Sequence, residues 1–348
     1  MTDEFNTHVC PPFRCAAVPW FDRSGAVVRR TAMSRAIKRT ARWLGLLMTA
    51  LLGLHPSDGL AEPGPDSGVA AAPRILLTNQ TSFRFNPSGL GNQTRIGYQR
   101  GIYAGNSPLT QDNHWHLGAN LRVTPAGVRV SAVIEVQPLA VLNLRATGGY
   151  SGYFGTFHSM QSRPSAQDEL SDAAMDAHKV GPLGNYATSG AHLELETTLQ
   201  FAWGRAFIRD RAMSGWYRAA LRAGDRVWYD AVLDVPVANG GWVFANDLDL
   251  LYRQSLTAGK FAVGVRHTLV QPFYPADAGA AVADGQQRLG ILASYTLFDH
   301  GNAAFDRPTL MINAGRYLSH RYREDAGVSA QNLFVFAGFA FQSDLWRP

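Results

Sequence analysis

Cysteine is nearly absent from this sequence. The 348 residues include two, Cys10 and Cys15, and none occurs later in the chain. Residues 16–348 therefore offer no disulfide and no cysteine-ligated metal site. A body without cysteine suits a chain that crosses an oxidising compartment unfolded.

Long apolar runs are missing as well. No stretch contains the roughly 18 consecutive apolar residues that a membrane-spanning helix requires, although 46% of the chain is hydrophobic. A helical membrane protein is therefore not expected. Strands that span a membrane escape this test, because they turn only every second side chain towards lipid.

A surplus of positive charge is missing from most of the chain. Residues 1–61 hold eight of the 32 basic residues and four of the 27 acidic residues, which leaves 24 basic and 23 acidic residues at positions 62–348. This balance argues against a nucleic-acid partner, since phosphate binding needs a surplus of Lys and Arg on one face.

A complete secretory signal is predicted at residues 33–61. Basic residues follow Met33, and an apolar stretch covers positions 43–54. Gly59 and Ala61 place small residues where a signal peptidase recognises them. We expect cleavage after Ala61. The alternative, a membrane anchor at the N-terminus, requires a longer apolar run.

The other boundaries follow from this signal. Residues 1–32 do not fit an export signal, and a start site assigned too early, with Met33 as the true start, is the simplest explanation. Residues 62–73 are rich in Pro, Gly and Ala and are expected to be a flexible linker. Residues 74–348 are expected to form a single folded body.

Apolar and polar residues alternate along that body. In segment 114–123 the apolar set is Trp115, Leu117, Ala119, Leu121 and Val123, and the other set is His114, His116, Gly118, Asn120 and Arg122. Successive side chains of a strand point to opposite faces. The segment therefore predicts a strand with one apolar and one polar face.

Thirteen segments are candidate strands on this criterion. They span residues 75–85, 94–104, 114–123, 128–136, 142–145, 192–203, 213–221, 229–234, 242–253, 261–266, 289–297, 309–317 and 332–342. Turn residues such as Asn239-Gly240-Gly241 separate many of them. Long connections remain at about 154–190 and 272–286. The first is polar, as an extracellular loop would be.

Two all-β architectures fit this pattern, a membrane barrel and a soluble sandwich. Many segments have about ten residues, which is enough to cross a bilayer at a tilt. Aromatic residues near strand ends suit two interfacial girdles; they are Tyr103, Trp115, Tyr150, Tyr153, Trp203, Trp216, Tyr217, Trp228, Trp242, Tyr252, Tyr274, Tyr295, Tyr317 and Trp346. We therefore predict a single antiparallel transmembrane β-barrel.

The strand number of such a barrel is even, so thirteen segments cannot all be correct. We expect about twelve strands, with fourteen as the alternative. The suspected errors are a missed strand or a wrong division of residues 128–153 or 192–221.

The chain resembles bacterial outer-membrane β-barrels of the porin-like class over residues 75–346. The alternation, the signal peptide and an aromatic final strand with Phe339, Phe341 and Trp346 carry the resemblance. Arg347 and Pro348 after the last Trp depart from the usual aromatic C-terminus. The resemblance implies outer-membrane lipid and the barrel-assembly machinery as partners.

Charged residues of both signs lie on the predicted lumen face. They are Arg122, Arg129, Glu135, Arg145, Glu194, Glu196, Asp230, Asp234, Asp247, Asp249, Arg253, Arg266 and Arg288. Rings of charge select solutes in a pore, which predicts a passive channel for small hydrophilic solutes. Alternatively, the charges pair across strands and fill the lumen.

Other functions are weaker alternatives. His267 is predicted on the lipid side of its strand, where a slipped register or a lipid-modifying enzyme would explain it. His114 and His116 share a face, but no third metal ligand can be assigned from the sequence. A non-conducting barrel would act through the loop 154–190. No catalytic residue, metal site or cofactor is predicted.

The export signal gives a first testable prediction. Protein purified from outer membranes should begin at Glu62, which N-terminal sequencing or intact mass will establish. A mature chain that retains residues 33–61 would show that this segment is an anchor instead.

Overall fold

The computed structural model describes residues 72–157, 160–257, 259–279, 285–300, 304–323 and 332–347. The predicted N-terminal extension (1–32), the signal peptide (33–61) and the linker up to residue 71 lie outside the described residues. The predicted barrel, 74–348, contains nearly all of them.

Fifteen strands form in the described part of the chain. In order they are β1 Arg74–Phe85, β2 Gly89–Arg100, β3 His114–Thr124, β4 Gly127–Leu139, β5 Leu142–Tyr153, β6 Ser162–Arg163, β7 Thr188–Trp203, β8 Ala206–Ala219, β9 Val227–Asp230, β10 Val235–Ala238, β11 Gly241–Leu256, β12 Gly259–Phe273, β13 Gln286–Thr296, β14 Asp306–Ser319 and β15 Leu333–Trp346. A short helix, α1 Asp172–Ala177, follows β6, and a 3-10 turn covers Ala276–Ala278. No helix among these residues is long and apolar enough to cross a membrane.

Twelve of these strands form one closed antiparallel barrel, in the order β1, β2, β3, β4, β5, β7, β8, β11, β12, β13, β14, β15 and back to β1. The expected fold class and strand number are confirmed. Chain neighbours pair throughout, and β1 closes the barrel against β15 in a register that runs from Ile75 opposite Trp346 to Phe85 opposite Val335.

The segment 229–234 is the thirteenth candidate, and its assignment to the barrel was wrong. Its first residues belong to β9, which pairs with β6 and β10 in a separate three-stranded sheet. Four residues are too few to cross a bilayer, so alternation alone misassigned this segment. The suspected divisions of 128–153 and 192–221 are real hairpins, β4–β5 and β7–β8.

The barrel has two different ends. The strands β5, β8, β12 and β14 end at one end of the barrel, here called the loop end, and β7, β11, β13 and β15 begin there. The opposite turn end holds the two-residue turns after β4 and β7 and the two ends of the barrel sheet, Arg74 and Trp346. The strands β2 and β13 also end there. In outer-membrane barrels the long loops face outwards from the cell and the short turns face the periplasm.

The exterior of the barrel is apolar. Large aliphatic side chains are strongly exposed there, including Ile134 at 56% and Ile291 at 63%. Exposure of so large an apolar surface to water is unfavourable, whereas contact with the hydrocarbon layer of a membrane is favourable. The surface therefore fits a membrane rather than a soluble sandwich.

Aromatic side chains rim this apolar belt at both ends. Those near the turn end are Tyr98, Trp115, Trp203, Tyr252, Phe261, Tyr295 and Trp346, and those near the loop end are Phe83, Phe85, Tyr150, Trp216, Trp242 and Phe273. Such rings sit at the membrane–water interface. Five predicted members were wrong, because Tyr153, Tyr217, Trp228, Tyr274 and Tyr317 pack on the inside. The predicted Tyr103 lies in the connection between β2 and β3.

Closure of the barrel has a direct experimental signature. Because every strand of a closed sheet has two hydrogen-bonded neighbours, detergent-folded protein should migrate faster on a gel unboiled than boiled. Identical mobility before and after boiling, with solubility in the absence of detergent, would contradict a membrane barrel.

Candidate functional site

A folded plug fills the loop end of the barrel. We define the plug as residues 160–187 and 220–240, which contain β6, α1, β9 and β10. Its centre is Trp228, which has no exposed surface, and Val235 and Val237 pack with it. Tyr217, Val243 and Val270 of the barrel wall join the same cluster. The plug is therefore packed against the inner surface of the wall.

The connection 154–190 contributes to this plug, contrary to the expectation of a polar extracellular loop. Met160, Gln161, Ser162 and Leu170 are buried. The sequence did not reveal this packing, because the few apolar residues that become buried lie among many Ser, Asp and Pro residues. Exposed side chains remain around Val180, which is 86% exposed.

Asp234 is the polar centre of the plug and has no exposed surface. Its carboxylate accepts hydrogen bonds from Tyr229, from Tyr317 of the barrel wall at 2.8 Å and from Arg323 at 3.0 Å. His320 Nε2 lies 3.3 Å from the same carboxylate. The prediction of Asp234 as a lumen-facing strand residue was therefore wrong, because it ties the plug to β14 and to the loop after β14.

Burial by itself would raise the pKa of Asp234. The hydrogen bond from His320 and the charge of Arg323 outweigh this effect and hold the pKa well below its ordinary value. A depressed carboxylate pKa stabilises the folded state above the ordinary pKa of about 4. That stabilisation is lost as the pH falls towards the folded-state pKa.

A second carboxylate, Asp230, fastens the plug to the opposite wall. Arg129 of β4 donates to it at 2.6 Å, and the backbone N–H groups of Val232 and Leu233 donate at 2.9 and 3.0 Å. Arg84 of β1 donates to the carbonyl of Val232 at 3.1 Å. Asp230 was predicted on a barrel strand, but it projects from the plug to the wall.

Beside the plug lies a cavity of about 950 Å³. Its lining begins at the loop end, with Ser88 and Pro125, and reaches Gln137 and Asn143 near the turn between β4 and β5. The cavity therefore follows the inner wall over most of the barrel height.

The structure brings nine of the thirteen predicted lumen residues to this cavity: Arg122, Arg129, Glu135, Arg145, Glu196, Asp230, Asp247, Arg266 and Arg288. Glu194 and Asp249 lie on the inner face beneath arginines. Arg253 stacks over Phe207 at 4.2 Å, and Asp234 lies in the plug. Arg84, Arg209 and Arg211 also line the cavity and were not predicted from the sequence.

Arginine–carboxylate pairs link neighbouring strands along the β2–β7 wall. Glu135 contacts Arg95 and Arg145, each at 2.7 Å, and Arg145 also contacts Glu196 at 2.8 Å. The pairs cross from β2 to β4, β5 and β7. Glu194 lies 3.4 Å from Arg129 of β4, so the glutamates at 194 and 196 both have arginine partners.

A second network covers the β8–β12 wall. Asp249 contacts Arg209 and Arg266, each at 2.6 Å. Asp247 pairs with Arg211 and accepts a hydrogen bond from Thr268 at 2.6 Å. Both aspartates are therefore saturated by cationic or hydroxyl donors.

The cavity lining carries more positive than negative charge. Within the described residues, eight arginines line it, against Glu135, Glu196, Asp230 and Asp247. Arg288 lies over the Phe334 ring at 5.3 Å and its Nε has no hydrogen-bond partner. Neither Arg288 nor Arg84 forms an ion pair within the described part of the chain. The cavity is thus an electropositive space.

The histidines considered from the sequence have separate environments. His114 Nε2 lies 3.7 Å from Glu135, whereas the ring of His116 fits over two glycines. A Cβ atom at Gly97 would lie 2.5 Å from His116 Nε2, so glycine is required for this packing. No cluster of three potential metal ligands occurs among the described residues.

His267 lies on the exterior, as predicted, because its neighbours Arg266 and Thr268 line the cavity. A slipped register does not explain it: β12 pairs without a shift, with His267 opposite Leu248 and Leu289. No register partner of His267 carries a nucleophile.

Known structures similar to this chain are outer-membrane barrels. The β domain of the Bordetella autotransporter BrkA has a TM-score of 0.41 and 16% identity, covering 80% of this chain and 100% of that chain. The NanC porin has a TM-score of 0.35 and 12% identity, covering 77% and 100%. The translocator domain of NalP from Neisseria meningitidis has a TM-score of 0.31 and 11% identity, covering 90% and 97%. No protein-family model and no curated protein sequence matches the chain.

The class of the protein rests on its own architecture. A closed barrel of twelve antiparallel strands, an apolar exterior and two aromatic girdles define an outer-membrane β-barrel. Inside this barrel lie the plug and the electropositive cavity.

Asp234→Asn tests how the plug is held. The change removes the charge that Arg323 and His320 face, and loss of one member of a buried ion pair costs about 3–5 kcal/mol. We expect faster amide hydrogen exchange at 227–238, with heat-modifiability of the barrel retained. Asp277→Asn is the control, because Asp277 forms an exposed pair with Arg226. Equal exchange in the two variants would refute the role of Asp234.

Proposed function

We propose that the protein is a passive channel for small hydrophilic solutes. One observation carries the proposal, the cavity of about 950 Å³ that follows the wall beside the plug. Its polar and charged lining offers hydrogen bonds to a hydrated solute. The plug narrows the passage without occupying the whole barrel.

The surplus of arginine in the lining favours anionic solutes. Arg84 and Arg288 lie on different parts of the lining, and neither is neutralised by a carboxylate within the described residues. In a narrow cavity with walls of low dielectric constant, such charges attract anions and repel cations. Carboxylate-bearing or phosphate-bearing small molecules are the solutes that this charge pattern suits.

The plug explains how a channel of this kind would have a small conductance. Arg129–Asp230 and the Arg84–carbonyl hydrogen bond cross from the wall to the plug at the loop end. These contacts divide the lumen at the loop end, where a solute would pass along β1–β4. Below the plug, residues of all twelve barrel strands line the path.

A lipid-modifying enzyme remains the second candidate because His267 lies on the lipid face. A hydrolase would need a nucleophile within hydrogen-bond reach of the imidazole, and Leu248 and Leu289 occupy the paired positions. Lipid hydrolysis by purified protein that disappears in His267→Ala would favour this candidate over the channel.

Planar bilayers test the channel directly. We expect discrete conductance steps and, in a KCl gradient, a reversal potential that shows anion preference. Arg84→Gln with Arg288→Gln should shift this potential towards the cation side, because two unpaired positive charges leave the lining. Arg218→Gln is the control, since Arg218 lies on the exterior near the loop end. Absence of conductance in folded protein would refute the channel.

A further inference from the structure

Three polar side chains face lipid on one side of the barrel. They are Asp210 of β8, Asn246 of β11 and His267 of β12. The adjacent residues Arg209, Asp247 and Arg266 line the internal cavity, and successive strand side chains alternate between faces. The three side chains therefore point outwards.

These side chains lie deep in the apolar belt. Asp210 and His267 both pair with Leu248. Leu248 is six positions from Trp242 of the loop-end girdle and four from Tyr252 of the turn-end girdle. Polar side chains at this depth are rare on a lipid face and mark functional surfaces.

The carboxylate of Asp210 has little compensation within its own chain. The amide of Asn246 donates a hydrogen bond to it, and no ion pair of Asp210 occurs in the described part of the protein. His267 has aliphatic register partners on both sides. Acyl chains cannot supply hydrogen bonds, so these groups call for another polar partner.

Another outward polar group shows the contrast. Asn79 donates to Thr94 at 2.7 Å, and Asn92 donates to Thr81 at 2.9 Å and to Asn79 at 3.1 Å. These uncharged groups on β1 and β2 satisfy one another. The cluster of Asp210, Asn246 and His267 differs because it holds an acidic and a basic group that are separated by Leu248.

The strand register sets the relative positions of these groups. Asp210 of β8, Leu248 of β11 and His267 of β12 form one row of paired residues. Asp210 and His267 therefore flank Leu248 on its two neighbouring strands.

These positions are complementary. Neighbouring strands lie about 4.8 Å apart, so Asp210 and His267 lie at similar distances on the two sides of Leu248. The amide of Asn246, two residues from Leu248 towards the loop end, is hydrogen-bonded to Asp210. A half-turn about an axis beside Leu248 exchanges the acidic side and the basic side.

We propose that this face joins two copies of the chain in the membrane. A two-fold axis along the membrane normal, passing beside Leu248, brings His267 of each copy opposite the Asp210–Asn246 pair of the other. Such an interface is isologous, so the same contact forms twice. Exposed aliphatic residues around it, including Ile208, Leu250 and Leu289, supply the packing. The proposal is independent of whether the lumen conducts.

Cysteine cross-linking in native outer membranes tests the geometry. In a full-length chain with Cys10→Ser and Cys15→Ser, Leu248→Cys is the sole thiol. Oxidation should give a disulfide-linked species of twice the mass. Ile134→Cys, on the exterior of β4 far from this face, should stay monomeric. A monomeric Leu248→Cys protein, equal cross-linking of both variants, or a cross-link to a chain of another mass would overturn the proposal.

The polar contacts are tested separately by the dimer dissociation constant in detergent or nanodiscs. Asp210→Leu and His267→Leu should each raise it about tenfold or more, since each removes two symmetry-related contacts within the membrane. The exchange Asp210→His with His267→Asp should restore dimerisation, and Asn79→Leu should leave it unchanged. Wild-type dimerisation by both leucine variants would refute the role of these side chains, and heat-modifiability checks that each variant is folded.

Discussion

The hydrogen bonds between β1 and β15 are the interaction on which the rest of the structure depends. They pair the first barrel strand with the last along nearly their whole length. In hydrocarbon, the unpaired N–H and C=O groups of an open sheet edge would find no substitute for water. Closure also encloses a lumen. One face of every barrel strand therefore contacts lipid, and the other face lines the lumen.

The lumen face is governed by charge compensation. Residues that are isolated charges along the sequence become neighbours across strands, as Glu135 does with Arg95 and Arg145. The loops at the loop end complete this interior. Asp230 and Asp234 connect the plug to the wall through arginine and tyrosine, and their burial depends on these partners. The surplus of arginine that remains gives the cavity its electrostatic character.

The apolar exterior of the barrel is interrupted by polar side chains at the face where we propose a contact between two copies. The alternation predicted the start of β8 at residue 213, which lies beyond the unbroken charged run of Arg209, Asp210 and Arg211. The strand begins at Ala206, with both arginines inside and Asp210 outside. Local rules fail in natural proteins mainly where a site requires the exception. The same residue that hid the strand start belongs to the proposed contact between copies.

The alternation of apolar and polar residues determined the barrel, its twelve strands and the inner position of most predicted charges. A strand has only two faces, and the face towards lipid must be apolar. The plug was decided by tertiary structure. Tyr229–Asp234 has the same alternation as a barrel strand, and only its packing around Trp228 assigns it to the interior. Pairings such as Arg129 with Asp230, 101 positions apart, depend on register and loop path, which no local pattern encodes.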